Sequence, residues 1–320
     1  MDQLTTTLLS APILFFVLGA LAAAARSDLS VPETLAKGMS LYLMAAIGLK
    51  GGVEVAKAGI GPDLLAALAV GFALSAAIPF WVAPMLARVG GLDRLNSGAV
   101  AAHYGSVSVV TFVTASQVYG EAGFAIAGFM VAVLAMMETP AILSGLFIAR
   151  RESGAFLSRE LVREVAFNGS VVLLLGSFLI GIVIGEQGFQ PIAPLFQAGF
   201  TGVLCLFLLD MGLIAMRRIL QSRSLTLRLA MLAVVFPLVN GSLGIIGGTL
   251  IGLDTPSTAA LGILAASASY IAVPAAMRLS LPQADAGLYL AMSLGVTFPF
   301  NIVIGIPLFR WMAETTRAVL

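Results

Sequence analysis

The chain has 320 residues, 59% of them hydrophobic and only 10% charged, with a mean hydropathy of +1.04. Soluble domains carry about 25% charged residues, so this composition excludes a sizeable water-soluble domain and calls for a bilayer. A net charge of +1 excludes a basic nucleic-acid surface, and a single cysteine, Cys205, excludes an internal disulfide framework.

Apolar stretches near 20 residues cross about 30 Å of hydrocarbon. Ten are expected, at 5–25, 32–50, 63–87, 95–117, 122–149, 163–185, 192–216, 226–251, 256–278 and 285–313. All exceed the length of a membrane strand and lack strict alternation, so an all-α integral membrane fold is predicted. The N-terminal MDQLTTTLLS has no basic stretch, and its apolar run is read as the first span rather than a cleaved signal. Spans 2 and 4 are the least regular, interrupted by Lys37, His103 and several serines. The long polar connection is Arg150–Arg163.

Lys and Arg fall 13 on one side of these spans and 4 on the other, where Lys50, Lys57, Arg310 and Arg317 lie. The richer side is cytoplasmic by the positive-inside rule. Both termini are therefore expected outside the cytoplasm of a bacterial inner membrane.

The halves echo each other. His103-Tyr-Gly-Ser-Val-Ser-Val-Val-Thr111 in span 4 matches Leu264-Ala-Ala-Ser-Ala-Ser-Tyr-Ile-Ala272 in span 9, with the Ser-x-Ser pairs 161 residues apart. Met137-Glu-Thr-Pro140 in span 5 likewise matches Val296-Thr-Phe-Pro299 in span 10. An odd number of spans turns the second copy upside down. The expectation is two inverted five-helix repeats, 1–150 and 163–320, joined by a cytoplasmic linker at 151–162, the plan of secondary transporters.

Small and polar residues in mid-membrane predict broken helices 4 and 9. Gly105, Ser106, Ser108, Ser267, Ser269 and Tyr270 are the candidate anion-binding residues, because a half-helix N-terminus offers free N–H groups and hydroxyls add neutral donors. Close helix packing explains small-x-small patterns as well. Glu138, buried in lipid by position, is read as a cation-site carboxylate or proton carrier. Thr111 and Thr139 near the breaks, with Thr297 and Asn301 from the matching segment, complete a candidate sodium set of oxygen ligands. Asp210 fits an interfacial anchor as well as a functional carboxylate. Lys50, Glu54 and Lys57 read as a solvated salt-bridge face, and His103 as a hydrogen-bonded histidine or, less simply, a proton shuttle. P-loop, Rossmann, metal-cluster and nucleophile–histidine signatures are absent, so neither an enzyme nor a self-energised pump is expected.

Ile47-Gly-Leu-Lys-Gly-Gly52, Gly105-Ser-Val-Ser108, Met137-Glu-Thr-Pro-Ala141, the stretch from Ala260 to Arg278 and Gly305-Ile-Pro-Leu-Phe309 resemble the cyanobacterial sodium-dependent bicarbonate transporters over almost the whole chain. That resemblance implies ten helices with 4 and 9 broken and crossing, a mobile core of helices 3–5 and 8–10, and a gate of 1, 2, 6 and 7. It also implies a homotrimer among membrane lipids that imports bicarbonate, with sodium as coupling ion and no cofactor, and a PII-like cytoplasmic regulator in some members. The chain departs from the family at Val109-Val110-Thr111 after the first break. In the second, Ala266 and Ala268 replace serines and Tyr270 stands at an Asp. The alternatives are a sodium/proton antiporter or a bile-acid-type organic-anion symporter of the same crossed-helix plan, or a non-transporting membrane scaffold.

Overall fold

A computed structural model describes residues 9–59, 61–150, 163, 167, 169–222 and 224–319. The expected linker at 151–162 and the start of the first span lie outside the described residues. The described residues form helices and connecting turns without strands. In chain order the helices are α1 (Ala11–Ala24), α2 (Glu33–Ala58), α3 (Pro62–Arg88), α4 (Arg94–Gly105), α5 (Val109–Glu121), α6 (Met130–Met137) and α7 (Pro140–Arg150). Then follow α8 (Gly169–Phe189), α9 (Phe200–Gln221), α10 (Leu227–Leu250), α11 (Thr255–Ala266), α12 (Ala272–Ser280) and α13 (Ala286–Arg317).

Among the described residues, 8 helical stretches are long and apolar enough to cross a membrane, counting α4–α5 and α6–α7 as one each; α1 and α11 are apolar but shorter. The stretch expected at 256–278 is split by its break into α11 and α12, of 12 and 9 residues. Neither piece reaches the 20 or so residues that span hydrocarbon alone.

Two layers result. The pairs α2–α8 and α1–α9 pack against each other, while α3, α4, α6 and α7 cluster on one side and α10, α11 and α13 on the other. The most apolar stretch of α4–α5 is buried throughout, against 28% for α8. The outward residues of α8, among them Leu179, Ile180 and Val183, are large, apolar and exposed, the surface hydrocarbon requires. In the α2–α8 seam, Gly52 faces the Phe178 carbonyl and Gly181 the Leu49 carbonyl, so closely that a methyl group on either would meet backbone. Such backbone contact is what small residues provide where membrane helices pack.

The two buried helices start alike. Asp93 caps α4 by accepting from Asn96 N, and Asp254 caps α11 by accepting from Ser257 N. Each cap follows a turn at a glycine with positive φ, +71° at Gly91 and +75° at Gly252, a backbone conformation that residues with a side chain rarely adopt. The recurring Gly-Leu-Asp triplet (Gly91–Asp93 and Gly252–Asp254) escaped the reading of the sequence. Its halves lie at the same offset as the Ser-x-Ser pairs.

α13 departs from a regular α-helix at Ala291–Thr297 and Asn301–Gly305, each a π-helical stretch, on either side of Pro299. Proline removes a donor from the ladder, and the wider turns absorb that loss.

Candidate functional site

The chain leaves helical geometry at Ser106–Ser108 and again at Ser267–Ile271, and the two breaks meet inside the protein. Ser108 N donates to Ser267 Oγ at 2.9 Å, and Ser269 N donates to the His103 carbonyl at 2.9 Å. These two amides, expected to be free, are thus used by the opposite break. A buried N–H without a partner costs about 1–3 kcal/mol, and crossing the breaks removes that cost at both places. The middle residue of each Ser-x-Ser differs: the amides of Val107 and Ala268, both buried, meet no acceptor among the described residues. Spare donors such as these in the interior suit an anion.

The serines divide by task. Ser267 Oγ also donates to the Leu264 carbonyl at 2.8 Å, so this hydroxyl is a structural clasp. Ser108 Oγ caps α5, accepting from Thr111 N at 3.2 Å and from Thr111 Oγ1 at 2.9 Å. Its own proton remains to be donated. Ser106 Oγ donates to the Glu138 carbonyl at 3.1 Å, tying the first break to span 5. Ser269 Oγ accepts from Val273 N at 3.4 Å, at the start of α12. The Tyr270 hydroxyl faces Ser108 but finds no partner at hydrogen-bonding geometry, and its ring packs edge-on against Phe298. Gly105 is a contact point: a β-carbon there would lie 2.7 Å from the Pro79 ring and 2.8 Å from Ala141 Cβ.

At Glu138 a side chain from another helix has entered the ladder. Ser75 Oγ donates to the Met137 carbonyl at 2.7 Å and accepts from Ala141 N at 3.2 Å, standing where these two groups would otherwise bond directly. The turn at Glu138–Thr139 opens in consequence, helped by the missing N–H of Pro140. Ser75 was not singled out from sequence, because its partners lie more than 60 residues away. Glu138 is buried, and its Oε2 has no hydrogen-bond partner among the described residues. Thr139 is half-buried beside it.

In the matching segment, Asn301 Nδ2 donates to the Ala266 carbonyl at 2.9 Å, satisfying a group that the second break frees, while Oδ1 is buried and unpartnered. Thr297 is committed elsewhere: its hydroxyl donates to the Ala233 carbonyl at 2.6 Å and lies 2.7 Å from the Tyr104 hydroxyl. Two buried acceptors, Glu138 Oε2 and Asn301 Oδ1, therefore stand out from the predicted sodium set. A buried oxygen acceptor without a donor is chemistry for a cation or a proton.

The other polar residues fall into place separately. His103 Nδ1 lies 2.7 Å from the Ala99 carbonyl, so it carries the proton of the neutral ring, and the ring stacks on Tyr289 at 4.5 Å. Asp210 is buried on α9 with Oδ2 unpartnered among the described residues. The expected Lys50–Glu54–Lys57 ladder does not form. Lys57 pairs with Glu186 of α8 at 2.9 Å, and Lys50 Nζ sits 4.9 Å above the Phe200 ring. α8 and α9 pack on this face and offer both cations nearer partners.

No curated protein matches the chain. A family does: the family described as the Na+-dependent bicarbonate transporter superfamily matches residues 11–314. That match takes in α1, both breaks, the Glu138 turn and nearly all of α13, on a multi-pass helical architecture whose polar interior lies where the breaks meet. This chain is therefore a membrane transport protein that belongs to the Na+-dependent bicarbonate transporter superfamily.

Proposed function

We propose that this protein is a sodium-coupled symporter that imports bicarbonate, or a small anion of similar shape, across the bacterial inner membrane by alternating access. The observation that carries the reading is the meeting of the two breaks, with the Val107 and Ala268 amides left over. Bicarbonate is planar, singly charged and rich in acceptors. Spare N–H groups with the Ser108 hydroxyl would bind it without a fixed cation, so that it can leave again. Glu138 Oε2 and Asn301 Oδ1, with Thr139 next to Glu138 in sequence and Thr111 at the start of α5, would receive the sodium ion.

In this reading the chain is ten helices in two inverted repeats. The shared 161-residue offset of the Asp93 and Asp254 caps and of the Ser-x-Ser pairs supports it. So does the exchange of partners, α2 with α8 and α1 with α9. Helices α1, α2, α8 and α9 form the gate and the remainder the mobile core. A homotrimer, and regulation by a PII-like cytoplasmic protein, belong to the same proposal through the family.

A second reading is favoured by the unpartnered Glu138 Oε2: a carboxyl that carries a proton in place of sodium. Labelled bicarbonate uptake into proteoliposomes separates the two. Uptake that requires an inward sodium gradient, and a Glu138→Gln variant that loses its sodium dependence, is the expected result. Uptake driven equally by a proton gradient without sodium would establish the second reading, and absence of bicarbonate flux under either gradient would remove the first.

A further inference from the structure

Between α2 and α5 lies a cavity of about 330 Å3, closed on its third side by the connector 125–128 and the start of α6. Its mouth carries Glu54 and Glu121, both exposed, and its wall carries Lys50, Ser116 and Gln117. Its floor includes Phe112, which is buried. Phe112 N donates to the Ser108 carbonyl at 3.1 Å, so the floor lies one helical turn from the first break. The cavity thus runs from a surface of the protein to within one helical turn of the first break, along the seam between α2, a proposed gate helix, and α5, a proposed core helix. Clefts between bodies are where small solutes bind.

The charges are instructive. Lys57, on the same face, is neutralised by Glu186. Lys50 forms no ion pair among the described residues and is half-buried over an aromatic ring. Gln117 Nε2 donates to Glu121 Oε1 at 2.6 Å, which holds that carboxylate at the mouth. One wall of the cavity therefore presents the Lys50 cation, within electrostatic reach of Glu54, and the rim presents carboxylates. A wall of a single sign would concentrate one ion and repel the other. A mixed wall admits both members of a cation–anion pair.

We infer that this cavity is the entry chamber through which the anion and its sodium ion reach the breaks, with Lys50 as the first contact of the anion and Phe112 as the inner door. The inference rests on the symport reading and deepens it. It places the chamber on the face that carries Lys57 and Arg317, the side of the C-terminus.

Cys205 is the chain's one cysteine and is buried, so a Cys205→Ala background makes a thiol-labelling test clean. In that background Ser116→Cys should react with a membrane-impermeant thiol reagent from the side on which a C-terminal tag is accessible. The modification should stop uptake, and bicarbonate with sodium together should slow it. Lys50→Gln should raise the KM for bicarbonate roughly fivefold, the scale of one half-exposed charge, with kcat retained. Should Ser116→Cys fail to insert, Gln117→Cys carries the same measurement. Labelling only from the opposite side, or labelling that leaves uptake intact, overturns the chamber. Protection by a solute other than bicarbonate supports the chamber and overturns the substrate reading instead.

Discussion

Ser267, a candidate anion ligand from sequence, clasps the two breaks together in the structure. Its hydroxyl accepts from Ser108 N and donates to the Leu264 carbonyl, and no local pattern reveals a partner 159 residues away. Ser267→Ala should strand the Ser108 amide in a dry interior and cost about 1–3 kcal/mol. Thermal unfolding in detergent will register this as a lowered Tm. Ser267→Thr, which keeps the oxygen, should recover most of it; equal Tm values for the alanine variant and the parent would refute the clasp. The residues legible in advance were those whose meaning is intrinsic, such as a carboxyl in hydrocarbon at Glu138. Ser75, Tyr104 and the free amides of Val107 and Ala268 were not, since their significance comes from what faces them.

For whole elements, length and hydropathy locate nearly every helix, because a membrane tolerates few other patterns. The errors are informative. The stretch at 32–50 extends to Ala58, since Lys50 and Glu54 ride on the helix toward its end, and Gly59, at φ +81°, supplies the stop. The π-helical turns of α13 leave no signal in composition. The α2–α8 seam offers a direct test. Gly181→Leu places a side chain against the Leu49 carbonyl, whereas Gly176, on the same helix, has open space around it. Overpacking costs about 1–3 kcal/mol, so Gly181→Leu should lower the Tm and the yield of monodisperse protein in size-exclusion chromatography. Gly176→Leu should leave both unchanged. Equal behaviour of the two variants would remove backbone contact as the basis of the seam.

At the scale of the molecule, the 13-to-4 partition of Lys and Arg predicts the orientation in the bilayer. Polar contacts are found toward both ends of the helices. Asp285 N donates to Asn96 Oδ1 at 2.8 Å and Arg150 Nη2 to the Ser280 carbonyl at 2.5 Å at one end. Arg317 Nη1 donates to Thr255 Oγ1 at 3.0 Å at the other. A periplasm-dependent reporter fused at the C-terminus should therefore be active, and a cytoplasm-dependent fluorescent reporter dark. The reverse pattern would invert the proposed topology. Ten apolar stretches are expected from the pattern; among the described residues eight are long enough to cross a membrane, and the stretch at 256–278 is split into pieces of 12 and 9 residues that fall short of that length.

The reciprocal hydrogen bonds between the breaks limit how this protein can move. Pulling the two interrupted helices apart would expose Ser108 N and Ser269 N together, in a place where water offers no replacement. The two bonds thus tie the breaks to each other like a knot. In the proposed symport, passage from one side of the membrane to the other would move that knot as one piece relative to the helices proposed as the gate, and would not open it.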